Sequence, residues 1–268
     1  MKEIARGRTA KVYLIDDDRI LKLFEQWVPE SDAQREYDIS SYIYSNGIRA
    51  PQPFGIVKKD NLLGIEFEYV KGVSMLEFMS KKPFDILKLA KNLAEAQFEI
   101  NKLVLSSEEL GLMPSYKKKL ENHIKRSHFS EKEKKKLTLL LEKTEDKYNL
   151  CHGDFHPDNV LINDEGYYVI DWLNCNYCDP LFDVSRTKLL LSFGTLPEGT
   201  RILKNLVFSI VRKIFMRQYL SHYIKLSGIK KSQLKKYDVL NSVFRLSENV
   251  PEKEKVKFKD IIKTYLEG

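Results

Sequence analysis

The stretch that decides the fold reads LCHGDFHPDNVLI at residues 150–162 and continues as YVIDW at residues 168–172. Two short runs rich in β-branched, aliphatic and aromatic residues, 160–162 and 167–170, lie on either side of the turn-forming segment 163–166. This pattern predicts a β-hairpin. A polar loop that contains a proline leads into its first strand.

Three oxygen-bearing side chains belong to this predicted hairpin. Asp154 and Asn159 lie on the loop before it, and Asp171 lies at its exit. Carboxylate and amide oxygens suit Mg²⁺, which takes one or two protein carboxylates and leaves its other positions to water and phosphate. We therefore expect Mg²⁺ at this rim. Asp158 is interpreted as a turn residue, because Asp tolerates left-handed conformations.

The spacing of these residues matches a known catalytic arrangement. Asp-x-x-x-x-Asn, with an Asp at a later strand end, is how protein kinases place their catalytic base and metal ligands. Gly153 before the first Asp, the triplet 170–172 (Ile-Asp-Trp) and the segment 179–186 (DPLFDVSR) resemble the aminoglycoside phosphotransferase and choline kinase superfamily. The alternative is that these residues are ordinary turn formers beside a proline, with Asp171 as a cap of the next segment. The match at all three positions argues against it.

The resemblance covers residues 4–190 or so and implies an α+β, protein-kinase-like, two-lobed fold. A small β-rich N-terminal lobe with one helix, residues 1–70, is expected to bind the nucleotide. A larger, mostly helical lobe, residues 71–268, is expected to carry the catalytic loop and the acceptor site, with a helical insertion at about 106–147.

A lysine within an apolar run marks the N-terminal half. Residues 19–24 read RILKLF, and burial of the Lys22 ammonium is costly unless it is paired. In protein kinases the corresponding lysine has two kinds of anionic partner, the α- and β-phosphates of the nucleotide and a Glu on the next helix. That helix is predicted here at about 30–44. Glu36 is the best candidate, with Asp32 and Asp38 as competitors. The alternative is a lysine that extends along a strand edge to solvent.

Two further nucleotide contacts are implied by the resemblance. The predicted hairpin at 4–13 has Gly7 and Thr9 at its turn, where they would cover the phosphates, although this loop has one glycine instead of three. An ordinary basic hairpin is the alternative. Two strands are predicted at 54–58 and 62–70. At the end of the second strand, backbone groups of Glu68 and Val70 would form hydrogen bonds with the edge of the adenine ring. Phe67 would line the adenine pocket; a plain strand end is the alternative.

Composition indicates a soluble globular protein, with 268 residues, 43% hydrophobic and 31% charged. The net charge of +7 favours solubility and attracts anions such as ATP, but it does not indicate a nucleic-acid partner. The N-terminus lacks a signal-peptide pattern, and no segment has transmembrane length. We expect a cytoplasmic protein without a membrane partner. A helix predicted at 201–226 is interpreted as a core helix, with a membrane-surface helix as the alternative.

The three cysteines do not predict a disulfide framework, because their number is odd and no secretory signal precedes them. Cys175 and Cys178 have the spacing of a metal-binding pair. A zinc site needs four ligands, and the second half of a zinc signature is missing. Zinc or redox chemistry is therefore disfavoured.

These observations predict transfer of the γ-phosphoryl group of ATP, with Mg²⁺, to a hydroxyl of a small molecule. By resemblance, Asp154 is the catalytic base, Asn159 and Asp171 hold the metal, and Lys22 clamps the phosphates. The reaction is expected to be aminoglycoside phosphotransferase-like, and a metabolite kinase acting on choline, ethanolamine, a sugar or homoserine is the alternative. A protein kinase and a nucleotide-binding module without catalysis are less favoured.

Acidic residues that could receive a polycationic antibiotic are Asp179, Asp183, Glu198 and Glu267. The first two look structural, and the basic net charge weakly disfavours an antibiotic.

Overall fold

The structure is a computed structural model that describes residues 1–7, 9–193 and 202–268. It divides into two units. The first contains Met1–Lys81 and Pro157–Cys175, and the second contains Lys82–His156 and Asn176–Gly268. The boundary between residues 1–70 and 71–268 was predicted from the sequence as a hinge inside one catalytic unit. That hinge stays a prediction.

Five strands of the first unit pair into one antiparallel sheet. They are β1 (Lys2–Arg6), β2 (Ala10–Leu14), β3 (Arg19–Phe24), β4 (Pro53–Lys59) and β5 (Leu62–Glu68). Their order is β1-β2-β3-β5-β4, which places β3 at the centre. Helix α1 (Glu30–Ser45) comes after β3 and packs against β4 and β5. These elements agree with the predicted ones within about two residues, the usual uncertainty of element boundaries.

The predicted hairpin is present in a second, three-stranded sheet of this unit. Strands β8 (Val160–Asn163) and β9 (Gly166–Val169) pair in antiparallel register. The short strand β6 (Val73–Ser74) pairs with the other edge of β8, and helix α2 (Met75–Lys81) comes directly after it. The apolar residues after Ser74 have helical spacing, but Ser74 itself is in β6, because it pairs with Leu161 of β8, a partner far away in sequence.

The second unit is mostly helical. Its helices are α3 (Ile86–Lys102), α4 (Tyr116–Arg126), α5 (Glu131–Glu142), α6 (Pro180–Phe193), α7 (Ile202–Ser227), α8 (Leu234–Arg245) and α9 (Glu252–Glu267). Two short strands, β7 (Asn149–Cys151) and β10 (Asn176–Cys178), pair antiparallel. β7 leads directly into the loop that carries Asp154, so the position of this loop depends on the core of the unit.

The long basic helix α7 belongs to the core of the second unit. It packs against α3 and α6 and buries Phe215, Tyr219 and Tyr223. The helix was predicted from Arg201, which lies outside the described residues. Within the part of the chain that the structure describes, no helix combines the length and the apolar character needed to span a bilayer.

Candidate active site

Lys22 lies at the middle of the central strand, opposite Val12 of β2 and Ile65 of β5. Its ammonium donates to Glu36 Oε1 at 2.5 Å and to Asp171 Oδ1 at 3.0 Å. The Lys22 side chain is 14% exposed and that of Glu36 is 2% exposed. The lysine is therefore paired inside the first unit, and it does not extend to solvent along a strand edge.

The burial pattern of α1 explains why Glu36 is the partner of Lys22. The buried side chains of this helix include Ala33, Glu36, Ser40 and Ile43, which have the spacing of one helical face. The competing acids stay near the surface, where Asp32 pairs with Arg35 and Asp38 accepts a hydrogen bond from Gln34. Periodicity places Glu36 on the inner face, but three-dimensional packing decides that this face meets β3.

Both members of the buried pair have shifted pKa values. Burial lowers the pKa of Lys22, but the neighbouring carboxylates of Glu36 and Asp171 outweigh burial and raise its pKa above the ordinary value. Burial raises the pKa of Glu36, and Lys22 opposes that rise. The ammonium therefore stays charged at neutral pH.

Asp171 leaves the hairpin in a left-handed conformation, with φ at 66°. Few residues other than glycine adopt this conformation, and Asp is among those that tolerate it. The segment is held on both sides: Ile170 N–H donates to the Asn159 carbonyl at 3.0 Å, and the Trp172 indole donates to the Val169 carbonyl at 3.2 Å. The turn places the Asp171 carboxylate at the Lys22 ammonium.

Asn159 ends a one-turn 3₁₀ helix, Pro157–Asn159, directly before β8. Its carbonyl accepts the hydrogen bond from Ile170, so the Asn159 backbone lies beside the residue that precedes Asp171. Asp158 accepts a hydrogen bond from the Ser74 hydroxyl at 3.0 Å. Asp158 lies inside the 3₁₀ turn and is not among the described residues with positive φ, so the left-handed conformation considered for it occurs at Asp171 instead.

The donor set at this hairpin fits Mg²⁺. It offers one carboxylate, Asp171, with 42% of its side chain exposed, and one amide, Asn159. Among the described residues, no group of three or more His, Cys, Asp or Glu side chains is arranged to hold a metal ion. Mg²⁺ does not need such a cage, because it binds through one or two carboxylates together with water and substrate phosphates.

The predicted phosphate loop is held mainly by backbone hydrogen bonds. Gly7 N–H donates to the Ala10 carbonyl at 2.9 Å, and Glu25 N–H donates to the Thr9 carbonyl at 2.8 Å. These bonds fix the turn between β1 and β2 and tie it to the end of β3. Contact of Gly7 and Thr9 with phosphate stays a prediction.

The predicted adenine-binding residues lie at and after the end of β5. Phe67 packs in the core of the first sheet with Phe24 and Ile65. Glu68 N–H donates to the Gln52 carbonyl at 2.8 Å, and β5 ends there, two residues earlier than expected. Val70 is buried. Binding of adenine by Phe67, Glu68 and Val70 stays a prediction.

Asp154 lies in the second unit, on the loop after β7. Its Oδ1 is 3.9 Å from Arg186 Nη2, and its Oδ2 is 3.7 Å from His156 Nε2. Its N–H donates to His152 Nδ1 at 3.3 Å, so His152 binds the backbone of the loop. Gly153 has φ at 77°, where a side chain would strain the backbone. The loop is thus shaped around one carboxylate.

The loop is anchored by Asp183 of α6. The carboxylate of Asp183 accepts hydrogen bonds from Gly153 N at 2.9 Å and from His152 N at 3.1 Å. Asp179 is also buried and accepts a hydrogen bond from the Tyr237 hydroxyl at 2.5 Å. Both acids have structural roles, as the sequence suggested, and Glu198 lies outside the described residues.

The charges around Asp154 keep its carboxyl ionised. Burial raises its pKa, but His156, Arg186 and His152 together outweigh burial and hold the pKa of Asp154 well below its ordinary value. Sequence reasoning missed Arg186. This residue belongs to the DPLFDVSR segment, yet nothing local shows that an arginine there is buried against the catalytic loop.

The cysteines are buried free thiols. Cys178 Sγ lies 3.3 Å from Cys151 Sγ, across the pairing of β7 with β10. Cys178 therefore packs against a cysteine 27 residues away. This contact was not visible in the sequence, where only the spacing between Cys175 and Cys178 suggested a pair.

The sequence model of the phosphotransferase enzyme family matches residues 1–207 of the chain. The chain belongs to this family. No curated protein matches it by sequence. As a member of the phosphotransferase family, it is expected to share its fold with solved kinases of small molecules, and the structural comparison agrees.

Three solved structures illustrate this likeness. Aminoglycoside phosphotransferase APH(2'')-Ib, bound to ADP, is 16% identical with a TM-score of 0.61, covering 99% of this chain and 93% of that one. Amicoumacin kinase hAmiN, in complex with AMP-PNP, Ca²⁺ and Ami, is 14% identical with a TM-score of 0.63, covering 99% and 87%. A choline/ethanolamine kinase family protein from Mesorhizobium loti is 12% identical with a TM-score of 0.58, covering 100% and 88%. Identities this low establish the fold alone, which is the predicted α+β, protein-kinase-like fold.

Proposed function

We propose that this phosphotransferase transfers the γ-phosphoryl group of ATP, with Mg²⁺, to a hydroxyl group of a small molecule in the cytoplasm. The observation that carries the proposal is the Lys22 ammonium, held between Glu36 and Asp171. A buried strand lysine that pairs with a glutamate of the next helix is the ion pair of protein kinases, and Asp171 occupies the position of the aspartate that holds Mg²⁺ in them.

Each polar residue has one task in this proposal. Lys22, positioned by Glu36, binds the α- and β-phosphates. Asn159 and Asp171 hold Mg²⁺, which supplies neutralisation of phosphate charge when bound. Asp154 orients the acceptor hydroxyl and accepts its proton. Because the protein does little covalent chemistry in this reaction, positioning and electrostatic stabilisation supply most of the rate.

The ionisation of Asp154 supports its role as the base. A carboxyl whose pKa lies well below its ordinary value is charged throughout the physiological pH range, so it is always able to accept a hydrogen bond from a hydroxyl. The low pKa also makes Asp154 a weak base. Its main contribution is therefore orientation of the hydroxyl, and proton transfer occurs as the phosphoryl group bonds to the oxygen.

The acceptor is proposed as a class, a hydroxyl-bearing small molecule. Two of the four candidate acids for a polycationic antibiotic, Asp179 and Asp183, do not support that substrate, because they are buried in structural hydrogen bonds. Amino alcohols such as choline or ethanolamine, sugars and homoserine-like compounds remain the alternative to aminoglycosides.

The test is ADP production from ATP and Mg²⁺ across a panel of hydroxyl compounds that includes aminoglycosides, amino alcohols, sugars and homoserine. We expect at least one acceptor to stimulate ADP release. Asp154→Ala should then reduce turnover by about 10²–10⁴-fold, the usual contribution of general acid–base catalysis. Asp158→Ala, the same change on the same loop, is the matched control. Equal turnover by Asp154→Ala and the wild type would overturn the role of Asp154.

A further inference from the structure

Arg186 is a buried cation that faces the proposed base. It lies on α6, and its side chain is 7% exposed. One terminal nitrogen, Nη2, lies 2.7 Å from Glu248 Oε1 and 3.9 Å from Asp154 Oδ1. The guanidinium therefore stands between two carboxylates, one of which is the proposed catalytic group.

Glu248 is itself part of a row of side chains whose charges alternate in sign. Glu248 also accepts a hydrogen bond from Arg245, at the end of α8, and Arg245 Nη2 lies 3.3 Å from Glu254 Oε2 in α9. The Phe244 ring lies 5.8 Å from the Arg186 guanidinium carbon. Glu248 and the Phe244 ring therefore hold Arg186 on the side away from Asp154. The pairing with Glu248 is needed because a buried guanidinium without a partner charge is strongly destabilising.

The guanidinium of Arg186 uses one nitrogen for both carboxylates. Arg186 Nη2 is the nitrogen nearest to Glu248 and also the nitrogen nearest to Asp154. Arg186 Nε and Nη1 are buried and have no hydrogen-bond partner among the described residues, and Arg245 Nε, in the same group of charges, is also without one. Arginine frequently presents two parallel N–H groups to one carboxylate, and this arrangement differs from that geometry.

We propose that Arg186 is a positioning residue for phosphoryl transfer: it holds the Asp154 carboxylate in one orientation, and Glu248 in turn holds Arg186. The inference rests on the proposed function of Asp154. His156 Nε2 lies 3.7 Å from the other carboxylate oxygen of Asp154, so the two side chains flank the carboxylate at both oxygens. Glu248 lies beyond residues 1–207, the part that matches the family. The segment between α8 and α9, which contains Glu248, thus contributes to the proposed catalytic geometry.

Removal of the arginine provides the first test. Arg186→Gln should lower kcat by about 10–10²-fold, because a misplacement of about 1 Å in a reacting group has effects of this size. The KM for ATP should stay within about twofold, since Arg186 contacts the base and not the proposed nucleotide residues. Arg186→Lys keeps the positive charge and should recover part of the loss. Glu248→Gln should reduce kcat by a smaller factor.

Lys188 supplies the matched control. It lies on the same helix, is partly buried and pairs with Asp238, away from Asp154. Lys188→Gln removes a cation of α6 and should leave kcat near the wild-type value. Equal kcat values for Arg186→Gln and Lys188→Gln would overturn the proposal, as would a loss that lies entirely in the KM for ATP. If Arg186→Gln does not fold, Arg186→Lys and Glu248→Gln carry the test.

Crystal structures of the wild type, Arg186→Gln and Lys188→Gln give a readout that does not depend on activity. We expect the Asp154 carboxylate to change its orientation in Arg186→Gln alone. An unchanged Asp154 in that variant would overturn the positioning role. If the wild type phosphorylates no acceptor, the proposed function fails, while the crystal structures still decide whether Arg186 orients Asp154.

Discussion

Lys22 Nζ lies 3.0 Å from Asp171 Oδ1, although 149 positions separate the two residues in the chain. This contact joins the central strand of the N-terminal sheet to the exit of the β8–β9 hairpin. With Glu36 on its other side, the ammonium is held between two carboxylates.

Replacement of Lys22 should impair catalysis with ATP. Lys22→Met removes the charge but keeps much of the side chain, so we expect kcat/KM for ATP to fall about 10²–10³-fold, as for other lost electrostatic stabilisers. Lys58→Met, an exposed lysine of the same sheet, is the control and should change little. Steady-state kinetics at saturating acceptor measures both. A Lys22→Met enzyme with normal kcat/KM would exclude Lys22 from phosphate binding.

Glu36 should stabilise the fold as well as position Lys22. Glu36→Gln leaves the buried Lys22 with Asp171 as its remaining carboxylate partner, and breaking a buried ion pair costs about 3–5 kcal/mol. Because Gln keeps the shape and accepts a hydrogen bond, we expect the lower part of that range. Asp38→Asn makes the same change on the surface of α1. Urea unfolding measures the free energy of unfolding of both variants. Equal values for Glu36→Gln and Asp38→Asn would contradict the stabilising role of Glu36.

The low pKa of Asp154 predicts a pH dependence of stability. A carboxyl whose pKa is lowered by folding stabilises the protein above its unfolded pKa of about 3.9, and this contribution is lost as the pH falls. The wild type should therefore lose stability relative to Asp154→Asn between about pH 5 and pH 3. Denaturant unfolding across that range measures the difference. A difference that does not vary with pH would show that folding leaves the pKa of Asp154 unchanged.

The hairpin residues should differ in their effect on Mg²⁺ dependence. Asp171→Asn removes the carboxylate of the proposed site, and we expect the Mg²⁺ concentration for half-maximal activity to rise by at least about tenfold. Asn159→Ala should act in the same direction. Asp158→Asn is the control, because Asp158 bonds to Ser74. A Mg²⁺ requirement changed by Asp158→Asn and not by Asp171→Asn would reverse the assignment.

The cysteines should be unreactive in the native protein. Burial raises the pKa of the Cys178 thiol, and the thiolate is the reactive form. All three cysteines are buried. Ellman's reagent should therefore label none of them quickly in buffer and all three after denaturation. Rapid labelling of Cys178 in the folded protein would reopen a redox role for these residues.

Much of the site was predictable because its pieces are local. The run of β-forming residues around a four-residue turn is enough to predict the hairpin, and a lysine within an apolar strand needs a counter-ion wherever it folds. Ser130 and Glu133 have the spacing of a capping box, and both hydrogen bonds of that box are present at the beginning of α5. Ser74 shows the limit, since its strand exists through pairing with β8.

The sequence by itself determined the elements, the Asp-x-x-x-x-Asn spacing and the need of Lys22 for an anion, since these depend on neighbours within a few residues. Tertiary structure alone decided that Lys22 meets Asp171, and that Arg186 lies between Asp154 and Glu248. The physical reason is that the energy of a buried charge depends on which distant groups surround it, and local patterns of residues do not record those groups.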